Sequence, residues 1–120
     1  MSIFINLSNH PISKWSNKQL NAASEYGNIY EIPFPAIDPS GDEKYISDLT
    51  DKFLQTIKSY SHLGEPTVHI MGEMTFTYSL VQKLKTDNII CVASTTCRNV
   101  KELPNGIKET IFTFERFRKY

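Results

Sequence analysis

A chain of 120 residues, 40% hydrophobic and 22% charged, has the length and composition of one globular domain. Its formal net charge at pH 7 is zero. This argues against a protein that holds duplex DNA or RNA over a broad surface, because such binding needs clustered, uncompensated Lys and Arg. The first apolar run, Ile3–Leu7, is too short for a membrane span or the core of a signal peptide. Two cysteines, Cys91 and Cys97, lack metal-site spacing and are typical of a reducing compartment. We therefore expect one cytoplasmic domain over residues 1–120, without membrane contact.

The first part of the chain predicts a strand, a helix and a second strand. Ile3–Leu7 is apolar throughout, as a buried strand is. Ser16 is a predicted N-cap and Gln19, three residues later, completes a capping box. The helix runs to about Tyr26, and Ile29–Ile32 then predicts the second strand.

The middle of the chain continues the alternation. A long amphipathic helix is predicted over about Asp42–Tyr60, because apolar residues recur there at three- and four-residue spacing. A third strand, Thr67–Met71, precedes a third helix at about Glu73–Thr86. The uniformly apolar run Ile89–Ala93 predicts a fourth strand, buried on both faces.

The end of the chain predicts a β-hairpin. Two strand-like runs, Val100–Leu103 and Ile107–Phe117, flank Pro104-Asn105-Gly106, and Asn-Gly between such runs favours a tight turn. Alternating strands and helices predict an α/β fold. We expect a Rossmann-like three-layer sandwich of four mostly parallel strands and three helices, plus a C-terminal β-hairpin. The hairpin could extend the sheet as antiparallel strands, or it could form a dimer edge.

Polar residues follow three of the predicted strands. In open α/β sheets, ligands bind in the crevice at the carboxyl ends of parallel strands, so these residues are the candidate site. They are Asn6, Ser8, Asn9 and His10 after strand one, Met71, Gly72, Glu73 and Thr75 after strand three, and Ser94, Thr95, Thr96 and Arg98 after strand four. Together they predict a small site for a phosphate-bearing ligand.

The junction between strand three and helix three is the most informative part of this edge. Gly72 would let the backbone come close to a ligand. The N–H groups of Glu73, Met74 and Thr75 at the helix start could bind a phosphate. The alternative is a tight strand–helix turn in which Glu73 only interacts favourably with the helix dipole.

Two residues are the candidates for chemistry at this edge. His10 is the best candidate for proton transfer, since histidine exchanges protons near neutral pH. Arg98 carries a planar fork suited to phosphate, beside the hydroxyl donors of residues 94–96. The alternatives are a loop histidine that caps backbone groups and a polar turn with Arg98 at the surface. His69, inside a predicted strand, is expected to be a core histidine, and the spacing of these side chains indicates neither a metal nor a cofactor.

The first loop ends in Lys14 and Trp15. Trp15 could stack on a base with Lys14 near a phosphate. A Trp directly before an N-cap more often packs as a hydrophobic staple, here against Leu20, and we favour that interpretation.

The run from Phe4 to Pro11, followed closely by a helix, resembles the start of small CRISPR-associated Rossmann proteins grouped with CARF-like domains and ring nucleases. The Met71-Gly72-Glu73 junction and the aromatic terminal hairpin fit the same layout. The resemblance implies a homodimer that binds cyclic oligoadenylate across its two-fold axis. It also implies metal-independent cleavage, in which the ribose 2′-hydroxyl attacks the adjacent phosphate and His10, Ser94, Thr95 and Arg98 supply the clamp, the donors and the acid or base. Binding without cleavage is equally compatible with it.

Two other functions remain open. Phe112, Phe114 and Phe117, with Arg116 and Arg118, have the composition of an interface, so the chain could be a non-enzymatic interaction or dimerisation module. The same segment could instead be a packed edge strand with a solvated tail. A small-molecule enzyme that acts on another phosphate ester is the remaining possibility.

Overall fold

The computed structural model describes all residues, 1–120, as an α/β fold with five strands and three α-helices. The bounds, in chain order, are β1 Ser2–Ser8, α1 Asn17–Ser24, β2 Asn28–Glu31, α2 Glu43–Lys58, β3 Glu65–Met71, α3 Met74–Thr86, β4 Ile90–Glu102 and β5 Lys108–Lys119. None of the helices is long and apolar enough to cross a membrane.

The five strands form one mixed sheet in the order β2-β1-β3-β4-β5. β1 pairs in parallel with β2 and β3, and β3 pairs in parallel with β4. β5 is antiparallel to β4. Because β2 and β3 lie on opposite sides of β1, the winding of the sheet reverses between β1 and β3, and the carboxyl ends of these two strands border a crevice.

The helices cover both faces of the sheet, as the alternation along β1 requires. Ile3, Ile5 and Leu7 point to the face covered by α2 and α3, where the larger apolar cluster lies. Phe4 points to the other face and packs with Trp15 beside α1. The expected staple is confirmed, since Trp15 is buried in the cluster against which Leu20 packs.

The expected break between a fourth strand and a separate hairpin is wrong. β4 does not end at Ala93 but continues to Glu102, and it pairs with β5 from Val92 to Glu102, including Ser94 with Phe117. The polar residues 94–99 stay in the strand because much of that surface is solvated and the β5 partner supplies the backbone hydrogen bonds. The sheet therefore has five strands, with a bulge at Thr95/Thr96.

The expected turn is confirmed. Gly106 has a φ of 82°, which favours glycine, and its N–H donates to the carbonyl of Leu103 at 2.9 Å. Beyond the sheet body, β4 and β5 continue as a two-stranded ribbon, which we define as residues 97–113.

Candidate functional site

A cavity of about 460 Å³ lies between the start of α1 and the β4–β5 pair, and we call it the basic cavity. Its size is within the range of small-molecule sites. The residues that line it are His10, Lys14, Ser16, Gln19, Ser94, Thr96, Phe112, Thr113 and Phe114. They include a lysine, a histidine and four hydroxyl groups but no carboxylate, so the cavity suits an anionic ligand.

A larger and more open cavity, of about 770 Å³, lies on the outer side of α2 and α3. Three of its four charged side chains already have partners, and the fourth, Lys85, shares the cavity with two carboxylates. Lys83 forms a salt bridge with Asp51, and Asp87 forms one with Lys58 at 2.8 Å. Because these charges neutralise one another at the surface, the smaller basic cavity is the better candidate site.

A buried polar network fixes the loop that carries His10. The side-chain nitrogen of Asn6 donates to the carbonyl of His10 at 3.1 Å and to Glu31 Oε2 at 2.9 Å. The indole N–H of Trp15 donates to the same carbonyl at 3.0 Å. Ser8 Oγ donates to Asn6 Oδ1 at 2.8 Å. Because the His10 carbonyl receives two donors, the loop is held in place while the His10 side chain remains exposed at the cavity.

His69 is the buried end of this hydrogen-bond network. Its Nδ1 lies 2.8 Å from Asn6 Oδ1. The Asn6 nitrogen is already bonded to two acceptors, so its oxygen accepts and His69 Nδ1 carries the proton. Burial lowers the pKa of His69 to about 4, and the charge of nearby His10 adds to this effect. His69 is 1% exposed and therefore neutral at pH 7, with Nε2 buried and without a partner. The expectation of a core histidine is confirmed.

The structure brings three of the predicted site residues together in the basic cavity, namely His10, Ser94 and Thr96. Asn6 and Ser8 lie behind the cavity and act through the network described above.

The other predicted residues near this edge lie outside the cavity. Asn9 is exposed, and its N–H joins the ends of β1 and β3 by donating to the carbonyl of Met71 at 3.0 Å. Thr95 Oγ1 donates to the carbonyl of Arg116 at 3.0 Å, so it ties β4 to β5. Arg98 is exposed on β4, two residues beyond Thr96, and does not line the cavity. It lies there because β4 continues where a turn was expected.

The junction after β3 is occupied by the protein's own side chains. A Cβ on Gly72 would stand 2.2 Å from the Phe34 ring, so the glycine makes room for that ring. The Glu73 carboxylate accepts the N–H groups of Thr75 at 2.8 Å and Phe76 at 3.0 Å. Hydrogen bonds from the Thr75 side chain and these N–H groups lower the pKa of Glu73. A negative carboxylate thus holds the donors that a phosphate would need, and Gly72, Glu73 and Thr75 are not part of the basic cavity.

Six cavity residues were not predicted as site residues: Lys14, Ser16, Gln19, Phe112, Thr113 and Phe114. Lys14 was considered near a phosphate, and its position just before the predicted N-cap was the signal for it. Gln19 was interpreted only as part of a capping box. Its backbone N–H does bond Ser16 Oγ at 3.2 Å, but its buried side chain faces the cavity instead of returning to the cap. Thr113 comes from β5, and only the register of β4 with β5 places it there.

Two of the three hairpin phenylalanines are core residues. Phe114 and Phe117 are 6% and 5% exposed and pack with Phe4 and Trp15. Phe112 is 65% exposed. An interface on the hairpin would therefore use Phe112 and its neighbours, not all three rings.

Neither cysteine is activated. Burial raises the pKa of the Cys91 thiol to about 11, and a hydrogen bond from Cys97 to the Glu115 carboxylate raises the pKa of Cys97. Both thiols are protonated at neutral pH, which makes them poor nucleophiles. The structure brings together no group of three or more His, Cys, Asp or Glu side chains that could hold a metal ion.

One family model matches the chain over residues 2–118, and its description is "Uncharacterized protein MJ1673 family". The match covers almost all of the chain, which therefore belongs to that family. Searches of curated proteins and of solved structures returned no match.

Proposed function

We propose that this member of the MJ1673 family binds a phosphate-bearing ligand of the nucleotide class in the basic cavity. One observation carries the proposal: Lys14, His10 and the hydroxyls of Ser16, Ser94 and Thr96 converge on one cavity that no carboxylate lines. A lysine supplies positive charge, and hydroxyl groups donate to phosphate oxygens. A neutral or cationic ligand would leave the Lys14 charge without a counterpart.

Cyclic oligoadenylate is the specific ligand that we propose. The support is the resemblance of the run from Phe4 to Pro11 to CARF-like ring nucleases, together with the place of that run at the site. His10 lines the cavity, and Asn6 and Ser8 hold its loop. The same resemblance supports a cytoplasmic homodimer as the functional form.

A Rossmann-like three-layer sandwich as the fold class is part of this proposal. The parallel pairing of β2, β1, β3 and β4 and the helices on both faces support it. The crevice between the carboxyl ends of β1 and β3 is where such folds bind nucleotides.

Cleavage of the ligand, where it occurs, would need no metal. The 2′-hydroxyl attacks the adjacent phosphorus, the bond from phosphorus to the 5′ oxygen breaks, and a 2′,3′-cyclic phosphate and a 5′-hydroxyl form. In this proposal His10 accepts the proton of the 2′-hydroxyl, and the leaving oxygen takes a proton from solvent. Lys14 takes the role first expected of Arg98, because it lines the cavity and would face the charge that develops on the phosphate.

Incubation with cyclic tri-, tetra- and hexa-adenylate tests the proposal, with products separated by chromatography and binding followed by thermal shift. We expect at least one ring to stabilise the protein. Lys14→Ala should weaken that stabilisation, whereas Lys18→Ala should not, since Lys18 is exposed, pairs with Glu115 and does not line the cavity. His10→Gln should abolish cleavage while binding persists. The proposal fails if no ring binds, or if the two lysine variants behave alike.

We propose protein interaction as the second candidate function, on a separate observation. The ribbon has no core on either face and exposes Val100, Ile111 and Phe112, with Ile107 exposed just before β5. An isolated two-stranded ribbon is only marginally stable in water. A second copy of the chain that covers these side chains would supply the missing contacts.

Light scattering of a ribbon variant tests this second function. Ile111→Asp places a charge on the ribbon outside the basic cavity and should convert a dimer to a monomer. Gln55→Asp, which places the same charge at an exposed position of α2 outside the ribbon, is the matched control. A monomeric wild type, or a dimer that Ile111→Asp leaves intact, would count against this role.

A further inference from the structure

A third cavity, of about 300 Å³, lies on the other side of β4, and we call it the apolar cavity. It is lined by Met71, Gly72, Met74, Thr77, Tyr78, Val81 and Tyr120. No charged side chain is among them. Met74 and Tyr78 are 82% and 66% exposed although they are large and apolar, and their spacing of four residues places them on one face of α3.

One contact, between Met71 and Ser94, joins the lining of the apolar cavity to the lining of the basic cavity. Met71 lines the apolar cavity and Ser94 lines the basic cavity. The N–H and the hydroxyl of Ser94 both donate to the Met71 sulfur, at 3.2 and 3.1 Å. The β3–β4 pairing ends at His69 and Val92, so no strand carbonyl competes for the Ser94 N–H.

This contact is the kind that a ligand displaces. A thioether is a weak acceptor, whereas an anionic phosphate oxygen is a strong one. A phosphate at Ser94 would take both donors from Met71. The methionine side chain is flexible and can adopt another position, which would open the apolar cavity towards the phosphate.

We propose that the apolar cavity takes the base of the same nucleotide whose phosphate binds beside Ser94, with Met71 as the partition that moves. The inference rests on the proposed function, which assigns only the phosphate to a site. It adds a site for the base. A nucleobase is flat and stacks on aromatic side chains whose position is fixed. Tyr120 is held by its hydroxyl, which donates to the carbonyl of Ile70 at 2.6 Å. Tyr78 presents its ring from α3.

NMR of the methionine methyl groups reports on the partition directly, because the chain has only three methionines. The probes are inorganic phosphate, adenosine and adenosine monophosphate, with the Met71 signal assigned by Met71→Leu. Phosphate should shift the Met71 methyl and leave Met74 unchanged. Adenosine monophosphate should shift both. A nucleotide that binds without moving either signal would overturn the inference.

A pair of Tyr78 variants separates stacking from structure. Tyr78→Ala should weaken adenosine monophosphate binding roughly tenfold, as the loss of one aromatic stacking partner does. Tyr78→Phe keeps the ring and should bind within about twofold of the wild type on the same argument. Inorganic phosphate should bind all three proteins equally.

The outcomes distinguish this inference from the function on which it rests. If Lys14→Ala abolishes nucleotide binding and Tyr78→Ala has no effect, the proposed function is supported. The inference fails in that case, because the base does not bind in the apolar cavity. If Tyr78→Ala weakens inorganic phosphate as much as the nucleotide, the effect is structural and the inference fails. If the wild type binds neither phosphate nor nucleotide, both the proposed function and the inference fail.

Discussion

Two junctions at the same edge of the sheet, the one after β1 and the one after β3, use their polar groups in different ways. After β3, the helix begins almost at once, Glu73 caps it and the Phe34 ring occupies the space over Gly72. After β1, eight residues separate Ser8 from the start of α1. The side chains of Asn6 and Trp15 fix that loop by donating to the carbonyl of His10. The side chains of the loop can therefore face the basic cavity.

We infer from this difference that a strand–helix junction can bind an anion only where the protein's own cap residue leaves hydrogen-bond donors unpaired. Helix N-termini attract anions through unpaired N–H groups. At α3 an internal carboxylate is already bound to two of them. At the junction after β1 the cap residue Ser16 accepts only the N–H of Gln19, and the cavity there offers a lysine, a histidine and hydroxyl groups.

The largest expected effect comes from removing the network that fixes the open junction. Asn6→Ala should lower the free energy of unfolding by about 3 kcal/mol, because it leaves the buried Nδ1 of His69 without a partner and removes one of the donors to the His10 carbonyl. Urea denaturation measures the change. Asn9→Ala is the control at the same junction and should cost less than about 0.5 kcal/mol, since its side chain is exposed. Equal costs for the two variants would mean that the network does not hold the loop.

The second-largest expected effect is the pH dependence of stability, which tests His69 in the network at the junction after β1. The pKa of His69 is about 4 in the folded protein, below its ordinary value of 6.5. Between these values the unfolded chain binds more protons, so the free energy of unfolding falls as the pH falls. The expected loss between pH 7 and pH 5 is about 2 kcal/mol. His69→Gln should flatten this slope and His62→Gln should not, because His62 is exposed. A wild-type slope that His69→Gln preserves would contradict the assignment.

Gly72→Ala tests whether the closed junction is closed by packing. The added methyl would meet the Phe34 ring, and we expect a cost of about 1.5 kcal/mol in the free energy of unfolding. Combining it with Phe34→Ala in a double-mutant cycle should show that the two changes couple, since the smaller side chain removes the clash. Additive effects would show that Gly72 is needed for some other reason.

Glu73→Ala is expected to have the smallest effect. Loss of an N-cap costs about 1 kcal/mol. Because hydrogen bonds lower the pKa of Glu73, its contribution is present at neutral pH and is lost as the pH falls through that lowered pKa. Thermal denaturation of the wild type and Glu73→Ala at pH 7 measures it. An unchanged or raised melting temperature would mean that the carboxylate does not stabilise the start of α3.

Local signals predicted much of the fold. Ser16 is the N-cap of α1, the Pro104-Asn105-Gly106 turn forms, and the helices begin and end within about two residues of their predicted bounds. These features depend on residues a few positions apart, so the sequence carries them.

Features that depend on distant pairing could not be predicted. Residues 94–99 are polar and resemble a loop, but they pair with β5 residues that lie 12 to 23 positions further along the chain. The bulge at Thr95/Thr96 decides which β5 side chains reach the basic cavity, and no local pattern encodes it. Arg98 was placed at the site for the same reason, because its position depended on where β4 ends.

A titration of backbone amide signals by ¹H–¹⁵N NMR tests the central claim most directly. The ligand is whichever cyclic oligoadenylate gives the largest thermal shift, or inorganic phosphate if none does. The account predicts the largest changes at Lys14, Ser94 and Thr96 around the basic cavity, with small changes at Thr75 and Phe76, whose N–H groups Glu73 holds. The largest changes at Thr75 and Phe76 would contradict it, because they would show that the junction after β3 is the site.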